Sequence, residues 1–455
     1  MKQFLTFFIF LSSLFSSYGQ NSDSLTIRTI VNDILSKGAA YENLRFLCKK
    51  VGPRLSGSPQ GAKAVQETAR MMREMGADTV FLQECMVPHW VRGEKETAYI
   101  QYADGTKKVL KCAALGNSIG TVASGISAEV VEVSNYEEFE KVKDKVKGKI
   151  VFFNHAMIPS FIETFRAYGE AGKYRGSGPS IAAKYGAIGV MIKSLASNPD
   201  DHPHTGSTNY NDSFPKIPAI ALSTNDADLL SRELKSGKVS KVYFKTSSKM
   251  LPDIQSHNVV AEIRGSEFPN EVLTVGGHID SWDLAEGAHD DGAGCMQSME
   301  VIRALKDLGI KPKRTIRVVM FQNEENGLRG GTKHAELAAL EQRKYIFALE
   351  SDAGGFVPRS FGFTAKPDQL EKIMKWESLF KEYGIEKFNN GGGGADIGPL
   401  GKLGTVLSGL SPDSQRYFDV HHAETDVFEA VSRRELHLGA GVMAGLLWLV
   451  AEHGL

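Results

Sequence analysis

The chain of 455 residues sets 53 Lys and Arg against 54 Asp and Glu, a formal charge of -1, with 42% apolar and 24% charged residues. That is an ordinary globular composition, long enough for two domains. Near-neutrality excludes nucleic acid or an anionic membrane surface as the main partner. Four scattered cysteines without CxxC or Cys/His metal spacing exclude a disulfide scaffold.

In chain order, MKQFLTFFIFLSSLFSSYGQ has a basic start at Lys2, an apolar run from Phe4 to Leu14, and small Ser17 and Gly19 before Gln20. It reads as a signal peptide over residues 1–19, because the apolar run is shorter than the roughly 20 residues of a spanning helix. The expected location is therefore secreted or periplasmic, without stable membrane insertion. Cys48 and Cys295 lie in apolar helical patterns as buried thiols, and one bridge, Cys85 to Cys112, is the most that export would add.

Residues 20–112 read as the first part of a catalytic domain. Helical periodicity covers Ser24 to Gly38 and Tyr41 to Val51, and the turn VGPRLSGSPQG leads into an amphipathic helix from Ala62 to Met75. Strand-like stretches follow at Asp78 to Val87 and Glu96 to Tyr102. Residues 113–250 differ in texture, with strands in KGKIVFFN and KIPAIALS, a glycine-rich segment around GEAGKYRGSGPS, and a polar loop carrying His202 and His204. They read as an inserted, β-rich domain, and the two histidines as ordinary surface.

Residues 251–455 form the main catalytic part. Strands at Glu271 to Gly276, Arg314 to Gln322 and Tyr345 to Leu349 alternate with helices at Gly294 to Leu308, Gly330 to Leu340 and Asp368 to Tyr383. Such alternation predicts an α/β fold, a mixed and mainly parallel sheet flanked by helices, whose ligands gather at the carboxyl ends of the strands.

Those ends carry the chemistry. VLTVGGHID closes a strand with His278 and Asp280 on one side, since strand side chains alternate. His278 suits a metal and Asp280 suits fixing its imidazole. The loop GAHDDGAG offers Asp290 and Asp291, one of which can bridge two cations, while His289 sits at a tolerant position. FQNEENG ends a strand in Glu324 and Glu325, which face different ways: one suits a metal, the other a water proton. Asp352 ends the next strand, and His422 stands in HHAETD with Asp426 four residues on. Five such places in one domain describe a di-metal hydrolase. His421 is a candidate substrate or oxyanion contact. FNNGGGGADIGPL, with Asp396, is a candidate pocket wall where a substrate's free amine meets a carboxylate.

The order HxD, GAxDDGxG, EE followed by G, a strand-end Asp, and a final His with an acid four residues on resembles the M28 family of zinc metallopeptidases. The turn VGPRLSGS and the HIDSWD and HHAETD wordings place the resemblance in its carboxypeptidase Q subgroup, and the insert resembles a protease-associated (PA) domain. The resemblance implies a zinc exopeptidase fold and two Zn2+ ions, one on His278, Asp290 and Asp352, the other on Asp290, Glu325 and His422. It implies Glu324 as general base, Asp280 as the partner behind the ligands, Asp291 as support, short peptide or dipeptide substrates with a free amino terminus, and a homodimer. Several relatives carry a tyrosine as oxyanion donor near the final His, where this chain has His421. Competing readings are a single-zinc glutaminyl cyclase and a non-catalytic receptor-like ectodomain on the same fold.

Overall fold

The computed structural model describes residues 22–455, so the expected signal peptide lies outside the described residues. The eight strands of the main sheet run in the order Thr79–Val91, Lys249–Ile263, Arg314–Phe321, Phe268–His278, Lys344–Glu350, Val406–Pro412, Pro358–Thr364 and Lys387–Asn390. The four strands from Arg314–Phe321 to Val406–Pro412 are mutually parallel, and antiparallel pairings flank them on both sides. The expected α/β architecture is thus present, and its parallel centre is where the strand-end residues converge.

Alternation along the central strands assigns each residue to a face. Leu273, Val275, Val318 and Met320 face a core built with helices 22–37, Pro59–Glu74, Ala293–Asp307 and Arg433–His453. Val272, Val319 and Phe321 face the helix Arg329–Leu340 on the other side. Burial on both faces explains why these strands read as continuous apolar runs. Helix 22–37 buries Ile27, Ile30, Val31 and Ile34, the stripe that helical spacing predicts. The helix Pro59–Glu74 starts where Ser58 accepts from the Gly61 amide and proline occupies its first turn.

The helix Arg433–His453 is apolar enough to cross a membrane by length and composition, yet 83% of its apolar window is buried inside the fold. Its hydrophobicity is used in the core, against Ala293–Asp307. The helix expected from Asp368 to Tyr383 is divided into Pro367–Met374 and a 3-10 segment Glu377–Tyr383. All four cysteines are free, with Cys48, Cys85 and Cys295 buried, so Cys85 and Cys112 form no bridge.

A second unit hangs from one end of the main sheet. Val91 pairs with Lys249 at the end of the antiparallel ribbon Thr79–Val91 and Lys249–Ile263, so the chain leaves and re-enters the sheet at one point. Between those residues lie a four-stranded antiparallel sheet and a five-stranded, largely parallel sheet sharing an apolar core that includes Ile100, Phe152, Met191 and Phe244. The strands Thr97–Tyr102 and Lys107–Leu110, expected in the catalytic part, belong here because Thr97–Tyr102 pairs with Val239–Lys245. By sheet membership the insert therefore begins near residue 92 rather than 113.

Candidate metal centre

His278 is the last residue of its strand, and its Nδ1 lies 3.0 Å from the Asp280 carbonyl oxygen. A carbonyl can only accept, so Nδ1 carries the proton and Nε2 presents a lone pair. That Nε2 lies 3.1 Å from Asp290 Oδ1 and 3.4 Å from Asp352 Oδ1. His422 repeats the arrangement: Nδ1 lies 3.3 Å from the Thr205 carbonyl of the insert, and Nε2 lies 3.2 Å from both Asp290 Oδ2 and Glu325 Oε2. Asp290 thus stands between two imidazoles, one on each oxygen.

Backbone placement holds this cluster. Asp291 accepts from the His278 and Gly294 amides at 3.0 Å, while Asp426 accepts from the His289 amide at 2.7 Å and the Asp290 amide at 3.1 Å. Asp290 is therefore fixed from both sides. Arg54, fully buried in the early turn, donates to the carbonyls of Ile279, Glu286 and Gly287 and clamps the same loop. Only the wording VGPRLSGS hinted at this arginine.

Asp280 differs in detail from its expected role. Its Oδ1 accepts from the Asn323 and Glu324 amides at 2.8 and 3.1 Å, and lies 3.7 Å from His278 Nδ1. Its carboxylate positions the Glu324 turn, and its carbonyl orients the imidazole. Asn323, Leu328 and His422 all adopt positive φ, a conformation uncommon outside glycine and least expected for Leu328. Glu325 is buried, and its Oε1 accepts from the Trp282 amide at 3.1 Å. Glu324 is less buried and opens onto the cleft, and among the described residues no donor engages its carboxylate. The adjacent glutamates line the same cleft but differ in burial and in hydrogen bonding.

Four sequence expectations change. His421 Nε2 lies 3.5 Å from Asp290 Oδ2 and its ring stacks on His422 at 3.6 Å, so it joins the Asp290–His422 donor set. Asp396 is 1% exposed and does not reach the cleft: it is packed near Glu350, whose carboxylate accepts from the Asp396 and Ile397 amides. His204 is buried, not surface, with Nδ1 2.6 Å from the His421 carbonyl, whereas His202 meets Glu424 at the surface. His289 is no tolerant position, since it stacks on Phe356 at 4.2 Å and accepts from the Gly355 amide.

The cleft above the cluster encloses about 410 Å³, walled by the core on one side and by Phe165, Tyr168, Arg175, Ser207 and Asn209 of the insert on the other. The stretch holding Tyr168 and Arg175, which runs into the glycine-rich segment, carried no chemical signal in the sequence. Structurally it is the helix Thr164–Gly176.

Burial, then neighbouring carboxylates, pushes Glu324, Glu325 and Asp291 well above the usual carboxylate range. Glu350 is pushed up to about 7 by burial and Asp352. Burial also acts against ionised Asp290, but His278 and His422 outweigh it and hold that group low. So many buried acids and imidazoles converging on one place suit cations between them. The ligand atoms of His278, Asp290 and Asp352 lie within 4.8 Å of one another, as do those of Asp290, His421 and His422. With Asp290 Oδ2 left without a hydrogen bond, the residues present fit divalent metal ions.

Comparison with known proteins agrees. Residues 258–446 match the profile of Peptidase family M28. Carboxypeptidase Q of Mus musculus is 36% identical over 91% of this chain and 86% of its own length, and that of Homo sapiens 35% identical over 92% and 86%. A crystal structure of a peptidase M28 precursor from Shewanella amazonensis SB2B superposes with a TM-score of 0.91 at 30% identity, covering 96% of this chain and 98% of that one. The zinc aminopeptidase of Bacillus subtilis shares the fold at 18% identity, with a TM-score of 0.65 over 90% and 94% of the two chains. Fold, site and relatives define the class as metallopeptidase. Within it, the chain belongs to peptidase family M28 and is similar to carboxypeptidase Q.

Proposed function

We propose that this peptidase is a di-zinc exopeptidase of short peptides and dipeptides with a free amino terminus, exported to the periplasm or beyond. The observation that carries the reading is Asp290, one carboxylate set between His278 and His422 so that each oxygen serves a different donor set. His278, Asp290 and Asp352 would hold one ion; Asp290, His422 and Glu325, with His421 beside them, would hold the other. Bound there, such ions supply Lewis-acid polarisation of a carbonyl and acidify water.

The chain's own residues do the rest. Glu324, without a donor among the described residues and lining the cleft, takes the proton of the attacking water and returns it to the leaving amine. Asp280 fixes the Glu324 backbone, and Arg54 and Asp426 keep the Asp290 loop from relaxing. The size of the cleft suits short chains, and its acidic floor suits a substrate ammonium. With Asp396 out of reach, the cleft acids themselves are the groups available to that amine. The basic-then-apolar opening of the sequence supports export, and the insert's position over the cleft supports a PA-like role in enclosing substrate.

The base in this constellation favours catalysis over the receptor-like reading, and the second donor set favours it over a single-zinc cyclase. Elemental analysis of metal-replete protein should find two ions per chain, and chelation should abolish dipeptide hydrolysis. One ion with full activity would reject the paired site. Acetylating the amino end of a good dipeptide should abolish cleavage, and sedimentation equilibrium tests the homodimer that the resemblance implies.

A further inference from the structure

Hydrolysis places negative charge on the carbonyl oxygen, and a donor aimed at that oxygen is often the largest single contribution to rate. His421 stands where a donor was expected, but its Nε2 faces Asp290 and its Nδ1 is buried without a partner. Its imidazole is directed at the metal ligands. Two tyrosines also line the cleft, Tyr417 from the core and Tyr168 from the insert.

Their surroundings differ. Tyr417 has Asp290, Asp352, Asp291 and Asp426 as its charged neighbours, whereas Tyr168 has the Arg175 guanidinium besides Asp290 and Glu325. The Tyr168 oxygen accepts a 2.5 Å hydrogen bond from Arg175 Nη2. Its own proton is therefore left to donate, and a cation at the oxygen strengthens that donation along the chain of hydrogen bonds. Arg175 forms no ion pair with any carboxylate among the described residues; its Nη1 reaches the Thr205 carbonyl at 3.4 Å and its Nε is buried without a partner.

The location is also suitable. The Tyr168 ring meets His421 edge-on at 4.9 Å. A Cβ at Gly206 would strike both the Arg175 guanidinium and His422 Nδ1, so the arginine abuts the ligand histidine. We infer that Tyr168, polarised by Arg175, is a catalytic residue supplied by the insert, donating a hydrogen bond to the carbonyl oxygen as charge develops there. Arg175 is its positioning residue.

The step balances without moving the tyrosine proton. Water adds to the carbonyl carbon, its proton passes to Glu324, and the C=O electron pair moves onto the oxygen that Tyr168 faces. The pair returns as the C–N bond breaks, and Glu324 protonates the departing nitrogen. The inference rests on the peptidase reading above.

Tyr168→Phe tests it, because the ring and its packing on His421 are kept. The variant should retain metal content by elemental analysis and KM within about threefold, while kcat falls about 10²- to 10³-fold. Affinity for a phosphinic pseudodipeptide, whose tetrahedral P–O⁻ occupies the oxyanion position, should fall by a similar factor. Arg175→Met should weaken both readouts, and Arg175→Lys should restore part of each. A Tyr168→Phe enzyme with unchanged kcat and unchanged phosphinate affinity would overturn the inference, as would a larger loss in Tyr417→Phe than in Tyr168→Phe. If wild-type protein cleaved no dipeptide, the functional reading would fail, while the phosphinate comparison between wild type and Tyr168→Phe would still decide this one.

Discussion

The core and the insert are both layered α/β-type units, yet they contribute to the site in opposite ways. The core presents side chains at the carboxyl ends of parallel strands, where Glu350, Phe321 and His278 end neighbouring strands and the turns beyond them carry further candidate ligands. The insert contributes backbone and a helix face: the Thr205 carbonyl on His422, His204 under His421, and Tyr168 with Arg175 across the cleft. A rigid sheet fixes donors whose spacing must be exact to a fraction of an ångström, whereas a separately folded unit closes the space above them. Arg92 joins the two, since its guanidinium bonds Asp283 of the core and Glu96 of the insert and is largely buried.

The sharpest way to break the comparison is at Asp290. Asp290→Asn should lower metal content at both donor sets together and remove activity, whereas Asp352→Asn should lower only one. Equal partial loss in both variants, by elemental analysis, would show that Asp290 does not bridge. Glu324→Gln should keep metal content and fold but lose about 10² to 10⁴ in kcat, the usual worth of a general base.

The contribution of the insert is tested next. Gly206 has φ +125 and no room for a Cβ between Arg175 and His422, so Gly206→Ala should disturb the His422 donor set and leave the His278 set intact. Metal titration monitored per site distinguishes these. Arg92→Met strands the Asp283 and Glu96 carboxylates at the junction and should cost about 3–5 kcal/mol, read as a lower Tm of the insert–core unit. An unchanged Tm would mean the junction is held elsewhere.

The smallest effect lies far from the cleft. Burial pushes His334 down to about 3, and its Nδ1 donates to Gln83. The unfolded chain takes up that proton near pH 6.5, so the stability present above that pH is lost as pH falls toward 3, by at most about 1.4 kcal/mol per pH unit. His334→Asn, which keeps a donor toward Gln83, should flatten the pH dependence of Tm between pH 6.5 and 5 by about one proton. An unchanged slope would show that His334 stays charged when folded.

Much of the core site was legible in the sequence for a physical reason. His278, Glu324, Glu325 and Asp352 each follow an apolar run, and a run buried on both faces can only be an interior strand whose end opens at the sheet's edge. Asp290 and Asp291 lie in one short loop, so their proximity is local. Asp396 was misplaced because four adjacent glycines permit close backbone approach to a ligand or to another part of the protein, and here Gly394 packs on Glu350. His204 and His289 were misread because a polar loop says nothing about what later folds over it.

What the sequence determined by itself was the periodic part: the parallel centre of the sheet, the helices that cover it, and the strand-end acids and imidazoles. What only the tertiary structure decided was everything fixed by contacts distant along the chain. The insert's true start depends on Thr97–Tyr102 pairing with a strand some 140 residues later. The tautomer of His422 depends on a carbonyl of the insert, and the chemistry of Tyr168 depends on which side of the cleft its helix faces. Local pattern encodes local conformation through side-chain alternation and helical spacing, but the partner across a cleft leaves no periodic trace, because it is chosen by packing between surfaces that the chain brings together only when folded.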